Sequence, residues 1–219
     1  MDARRDDLPE GLERVLKAAL TGGIATGKSH VLDWFRERGV ACLDSDSLVR
    51  GVTERGTEAT SAIAARFGAS LIKADGSLDR AALAAIVFAD PSARRDLEAI
   101  VHPGVYRAIT AGLRAFELIG GSRFAVVDVP LLYESGHEAE FDRVIVTACS
   151  IENQITRLLE RGMTETEARQ RIAAQWPTEK KVARADFVIT TDGSIGETDQ
   201  QVERVMRALS TVEPKHPGT

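Results

Sequence analysis

Gly22, Gly27, Lys28 and Ser29 stand in the spacing G-x4-G-K-S, with Gly23, Ile24, Ala25 and Thr26 filling the interval. That pattern suits a polyphosphate. Several N–H donors must converge on one anion, so the backbone has to curl without Cβ obstruction, which glycines at 22 and 27 permit. A helix beginning near Lys28 turns its unsatisfied N-terminal amides toward the same anion. Lys28 then reaches the β and γ oxygens as a point charge, and the Ser29 hydroxyl is placed to ligate Mg2+. The alternative is an ordinary turn beside a solvated lysine. It requires this spacing by chance, on the order of one chain in a hundred of this length at average glycine usage.

Three further groups can act with such a loop. Asp44 and Asp46 follow a short apolar run, and in extended chain residues two apart face one side. Both carboxylates can then aim at a single hydroxyl, one as general base and the other as its partner. Either can instead cap a helix, a position that Asp and Ser favour. Asp128 ends an apolar run, with Pro130 behind it to close the ladder, and fits an acidic residue that holds Mg2+ through water; a structural carboxylate is the other reading. Arg157 and Arg161 share a helix face, and Arg169, Arg171, Lys180 and Lys181 follow. In most proteins such a cluster is a solvated face. Beside a phosphate loop it reads as a lid that neutralises charge on the transferred phosphoryl group and expels water. His102-Pro103, taken alone, is a helix-start signal with a satisfied histidine.

These groups need a scaffold, and the apolar pattern supplies one. Short apolar runs at about 16–21, 40–43, 124–129, 143–147 and 186–190 predict strands, nearly continuous as in strands buried on both faces. Helical patterns at 28–38, 58–67, 80–88, 92–119, 151–161, 164–175, 178–183 and 196–209 alternate with them, Gly39 marking the first stop. The expectation is an α/β fold: a P-loop five-stranded parallel sheet with helices on both faces and ligands at the carboxyl ends of the strands. Residues 16–46 and 124–210 form the core, with a helical lid at about 152–183. Residues 47–123 form a helical substrate-binding insertion, and 1–15 and 211–219 are flexible.

Composition narrows the function. A net charge of -5 over 219 residues argues against a nucleic-acid groove or an anionic membrane face, since either needs a basic surface. No apolar run approaches a membrane span, and the charged start is unlike a signal peptide, so a cytoplasmic protein is expected. Cys42 and Cys149 read as buried thiols without a disulfide. A GTPase switch needs N-K-x-D for base recognition, and the only asparagine is Asn153.

The segments LTGGIATGKS, LDSDSLVR, DGSLDRAAL, VFADPSARRDLEAIVHP, DVPLLYESG, QITRLLERG, RIAAQ and ADFVI, in this order, resemble the dephospho-CoA kinase family from Ala19 to about Gly193. The resemblance implies ATP-dependent phosphorylation of the ribose 3'-hydroxyl of dephospho-CoA, the last step of coenzyme A synthesis, with ATP and Mg2+ required. Asp46 looks like the family's catalytic aspartate, Lys28 and Ser29 like its ATP and Mg2+ ligands, and Arg161 like a lid arginine. The loop from Gly22 to Ser29, His30 and Arg157 fall on the ATP side by the same resemblance. Asp44, Arg50, His102, Tyr133 and Glu134 fall on the acceptor side, and Asp128 with Ser29 on the metal. A monomer or weak homo-oligomer is expected. Three departures stand out: Ala25-Thr26 for the usual Gly-Ser, which bears on the dihedrals at 25; His30 for a usual Thr; and Thr191 for an Asn common after the fifth strand.

Overall fold

A computed structural model describes residues 14–214. The extensions expected at the termini lie outside the described residues, except that Val15 is buried and residues 211–214 follow the last helix without regular structure beyond a turn. The described chain divides into two units, one running up to Leu43 and resuming at Leu113, the other Asp44–Gly112.

The first unit is built on a sheet of β1 (Leu16–Gly22), β2 (Ala41–Asp44), β3 (Phe124–Asp128), β4 (Arg143–Ala148) and β5 (Phe187–Thr190), in the order β2-β3-β1-β4-β5. β1 pairs in parallel with β3 and β4, and β4 with β5. All five residues of β3 are buried, which is why it reads as an apolar run rather than an alternation. The register sets Leu20 beside Asp128 and Gly22 beside Thr147, so Asp128 and Thr147 flank the strand end that enters the glycine loop.

Helices α1 (Lys28–Glu37) and α9 (Ile195–Leu209) close one core around Leu16, Leu20, Phe35, Val126, Ile145 and Leu209. Phe35 meets Trp34 and Phe124 edge-on. Fully burying a side chain of this kind stabilises the fold by about 1.5–3 kcal/mol. A second, smaller cluster unites Ala25 with Leu158 and Ala168, from α6 (Ile151–Glu160) and α7 (Glu165–Ala173), with Ile24, Met163 and Ile172 packed around it. α7 starts on a reciprocal capping box between Thr164 and Glu167. A short α8 (Thr178–Val182) leads into β5.

The second unit holds α2 (Ser45–Val52), α3 (Glu58–Phe67), α4 (Arg80–Ala89) and the first part of α5 (Pro91–Ile119). Asp79 caps α4, and Arg80 donates to Thr53 Oγ1 at 2.9 Å and to the Arg50 carbonyl at 3.2 Å, tying α4 to the end of α2. Gly104 lets α2 approach α5: a Cβ there would lie 2.6 Å from Val52 Cγ1. α5 runs through Pro103 rather than starting at it. α2 is a helix where extended chain was expected through Asp46, a difference that matters at the site.

Candidate active site

The loop after β1 is held from behind by its own carbonyls. Thr26 Oγ1 donates to the Gly23 carbonyl at 2.7 Å, and Gln154 Nε2 to that of Ile24 at 2.7 Å. Arg157 Nη1 donates to the Ala25 carbonyl and Thr191 Oγ1 to that of Thr26, both at 3.0 Å. Four successive carbonyls are therefore taken up by side chains. The Thr26 and Thr147 hydroxyls meet at 2.7 Å, and a Cβ on Gly22 would fall 2.3 Å from Thr147 Oγ1, so no side chain fits at 22. Gly27 has a φ of 86° and opens α1, whose first turn has no side-chain cap and no acidic residue. Those N-terminal amides and the helix dipole favour an anion.

Lys28 Nζ sits 3.3 Å from Asp128 Oδ1 and 3.4 Å from Oδ2. Charge-assisted bonds are usually about 2.7–2.9 Å, so the ammonium is restrained by the aspartate without being locked to it. Both groups are mostly buried, which strengthens their field at the loop. Ser29 is exposed in the first turn of α1. Among the described residues no cluster of three or more His, Cys, Asp or Glu could hold a metal by itself. One hydroxyl and one carboxylate still match Mg2+, which keeps several waters and takes only one or two protein ligands beside phosphate oxygens.

Asp44 and Asp46 part company. Asp44 caps α2, its carboxylate accepting from the amides of Asp46 and Ser47 and from Ser47 Oγ. Asp46 lies in the first turn of α2, exposed, and its carboxylate has no partner among the described residues. The two do not form an extended pair, because Asp-Ser-Asp-Ser starts a helix and the new N–H groups need an acceptor at once. Arg50 is exposed at the end of α2, and His102 meets Tyr106 edge-on within α5.

The basic cluster also divides. Arg157 is a tether, donating to the loop and to both oxygens of Thr191. Arg161 ends α6 exposed and without a side-chain partner among the described residues. Lys181 is not a lid charge: it is fully buried and pairs with Glu134 at 2.8 Å. Glu134 Oε1 also accepts the Trp176 amide at 2.9 Å. Tyr133 stacks on Trp176, ring planes 7° apart, and Lys180 Nζ stands 3.6 Å from the Trp176 ring centre. Burial pushes the Tyr133 phenol up to about 12. His30, expected on the ATP side, meets Asp199 of α9 at 2.7 Å. Gln154, Gln175 and Thr147 were not singled out from the sequence. Gln175 falls in the RIAAQ segment, but its partner is a distant backbone amide.

The sheet order, the loop between β1 and α1 and the aspartate ending the neighbouring strand define a phosphate-loop α/β protein of the kinase type. Comparison with known proteins narrows this. The family model for dephospho-CoA kinase matches residues 16–197. A dephospho-CoA kinase of Geobacillus kaustophilus is 42% identical over 199 residues, covering 90% of this chain and 98% of its own. A Thermus thermophilus crystal structure, TT1252, superposes with a TM-score of 0.78 at 30% identity, covering 91% of this chain and 100% of its own. The Campylobacter jejuni dephospho-CoA kinase does so at 0.67 and 25%, covering 89% and 96%. This chain belongs to the dephospho-CoA kinase family.

Proposed function

We infer that the protein transfers the γ-phosphoryl group of ATP to the ribose 3'-hydroxyl of dephospho-CoA, giving coenzyme A and ADP. The observation that carries this reading is the phosphate loop with Lys28 poised on Asp128, in a chain that matches the family over residues 16–197. Lys28 gives up part of its contact with Asp128 to the phosphate oxygens and stabilises charge on the transferring group. The amides from Gly22 to Ser29 cradle the phosphates. Ser29 and Asp128 would hold Mg2+, the latter through water, and the ion would supply neutralisation of the phosphate charge when bound. Asp46, whose carboxylate is not engaged in capping, takes the proton of the attacking hydroxyl; Asp44 shapes the turn that presents it. Arg161, at a helix end and without a side-chain partner among the described residues, closes on the phosphates, while Arg157 fixes the loop from behind.

On the acceptor side, Arg50 and His102 belong to the insertion. Tyr133 and Glu134 act through the packing of the segment after β3, since Glu134 is committed to Lys181. Residues 16–46 and 124–210 serve as the nucleotide-binding core, with the lid at about 152–183, and residues 47–123 as the substrate-binding insertion. The enzyme acts as a cytoplasmic monomer or weak homo-oligomer in this reading. No described helix is long and apolar enough to cross a membrane. The test is transfer from labelled ATP to dephospho-CoA with the product position mapped by NMR. A phosphate on any other oxygen, or efficient phosphorylation of a plain nucleotide with none of dephospho-CoA, overturns the assignment.

A further inference from the structure

Ala25 is the only non-glycine residue with positive φ, 60°, among the described residues. An L side chain there crowds the following carbonyl, a bias of about tenfold against that region. Such a conformation persists where its neighbours over-determine it. Here they come from one stretch of chain. Both backbone polar groups of Ile24 are held: Gln154 Nε2 donates to its carbonyl, in the peptide that leads into Ala25, and its N–H, in the preceding peptide, donates to Gln175 Oε1, each at 2.7 Å. Each amide's orientation is dictated by its partner, because a backbone N–H can meet only an oxygen and a carbonyl only a donor. Arg157 Nη1 holds the Ala25 carbonyl at 3.0 Å, and the Ala25 methyl is buried with Leu158 and Ala168. Gln154 lies in α6 and Gln175 just beyond α7, so both ends of the arginine-rich helical segment close on Ile24, with Arg157 on the residue after it. Gly23 is part of the same fit, since a Cβ on it would lie 2.8 Å from Gln154 Nε2.

We propose that Gln154 and Gln175 are positioning residues for the phosphate loop: they hold Ala25 in the left-handed conformation, so that the loop and the helices α6 and α7 reach their ATP-binding geometry together. Neither glutamine needs to touch the nucleotide for this. The proposal rests on the reading that the loop binds ATP. It explains how alanine is tolerated at 25: the stretch bearing the arginines supplies the restraint that glycine would make unnecessary.

The experiment is a coupling measurement. ATP affinity in magnesium buffer is measured by titration calorimetry for Gln175→Ala, with and without Ala25→Gly. Glycine removes the bias against positive φ, so the clamp then has less to hold. Gln175→Ala should weaken ATP binding about tenfold in the wild-type background and about twofold or less beside Ala25→Gly. A second readout uses the ATP-free protein. Hydrogen exchange of the Ile24 amide should be slow in the wild type and in Gln175→Glu, which keeps an acceptor oxygen, and fast in Gln175→Ala. An equal loss of affinity in both backgrounds, or none in either, overturns the proposal. A wild type that binds no ATP overturns the reading of the loop instead; the clamp is then judged by exchange alone, and an unprotected Ile24 amide in the wild type refutes it.

Discussion

Removing the ammonium of Lys181 should destabilise the protein far more than removing any other lysine named here. Its Nζ lies 2.8 Å from Glu134 Oε1, with side-chain exposures of 0% and 15%, and at an effective dielectric of 20 that is about 6 kcal/mol of gross attraction. Desolvation of two ions cancels most of it, so the pair as a whole contributes little. Breaking it is another matter. Lys181→Met leaves a mostly buried carboxylate whose remaining partner at Oε1 is the Trp176 amide, and should cost about 3 kcal/mol, the low end for such losses because Glu134 retains some solvent. Glu134→Met strands a fully buried ammonium and the Trp176 N–H together, and should cost about 5 kcal/mol. The double variant Glu134→Gln with Lys181→Met keeps an acceptor for Trp176 and should return to within about 1 kcal/mol of wild type. Urea unfolding gives the free energies, and at roughly 2–4 °C per kcal/mol for a chain of this size the Lys181→Met midpoint should fall by about 6–12 °C. Small effects of the single substitutions, or a double variant no more stable than Lys181→Met alone, would refute the claim that this pair pins α8 to the segment after β3.

Asp46→Asn should lower kcat about 10^2- to 10^4-fold while ATP and dephospho-CoA still bind, whereas Asp44→Ala should cost about 1 kcal/mol of stability as a lost cap; steady-state kinetics and thermal melts separate the two. Arg161→Ala should lower kcat on the order of 10^3-fold by analogy with arginine fingers, with an unchanged melting temperature, and early melting with normal turnover would mark the residue as structural. Burial raises the Cys42 thiol from 9.0 to about 11 and also raises that of Cys149. The unfolded chain therefore sheds these protons first, and their contribution to stability, complete below about pH 9, is lost as pH rises through the folded values. Alkylation at pH 8 should be slow in the native protein and fast in denaturant, and equal rates would contradict the burial argument.

What was legible in the sequence follows from where each group finds its partner. The strands could be read because a parallel sheet covered on both faces needs continuous apolar runs, and the phosphate loop because an anion dictates glycine, lysine and serine at fixed intervals. Asp44 and Asp46 could not be told apart from their types alone. The pair fits an extended dyad as well as a helix start, and the amides of α2 decided for the cap. Lys180 and Lys181 look alike in the sequence, yet one stands on the Trp176 ring and the other is buried on Glu134.

Gln154 and Gln175 were the hardest to read, for a general reason. Their partners are the carbonyl and N–H of Ile24, and every residue except proline offers the same two groups. A tether to the backbone leaves no complementary residue type elsewhere in the chain for pattern reading to find. The trace it leaves is conformational: an alanine at positive φ and a glycine at 23 with no room for a side chain, both visible only once the chain is folded. Because the glutamines read only the backbone N–H and carbonyl of residue 24, another apolar side chain there should keep both bonds, whereas proline removes the N–H that Gln175 accepts and should loosen the loop much as Gln175→Ala does.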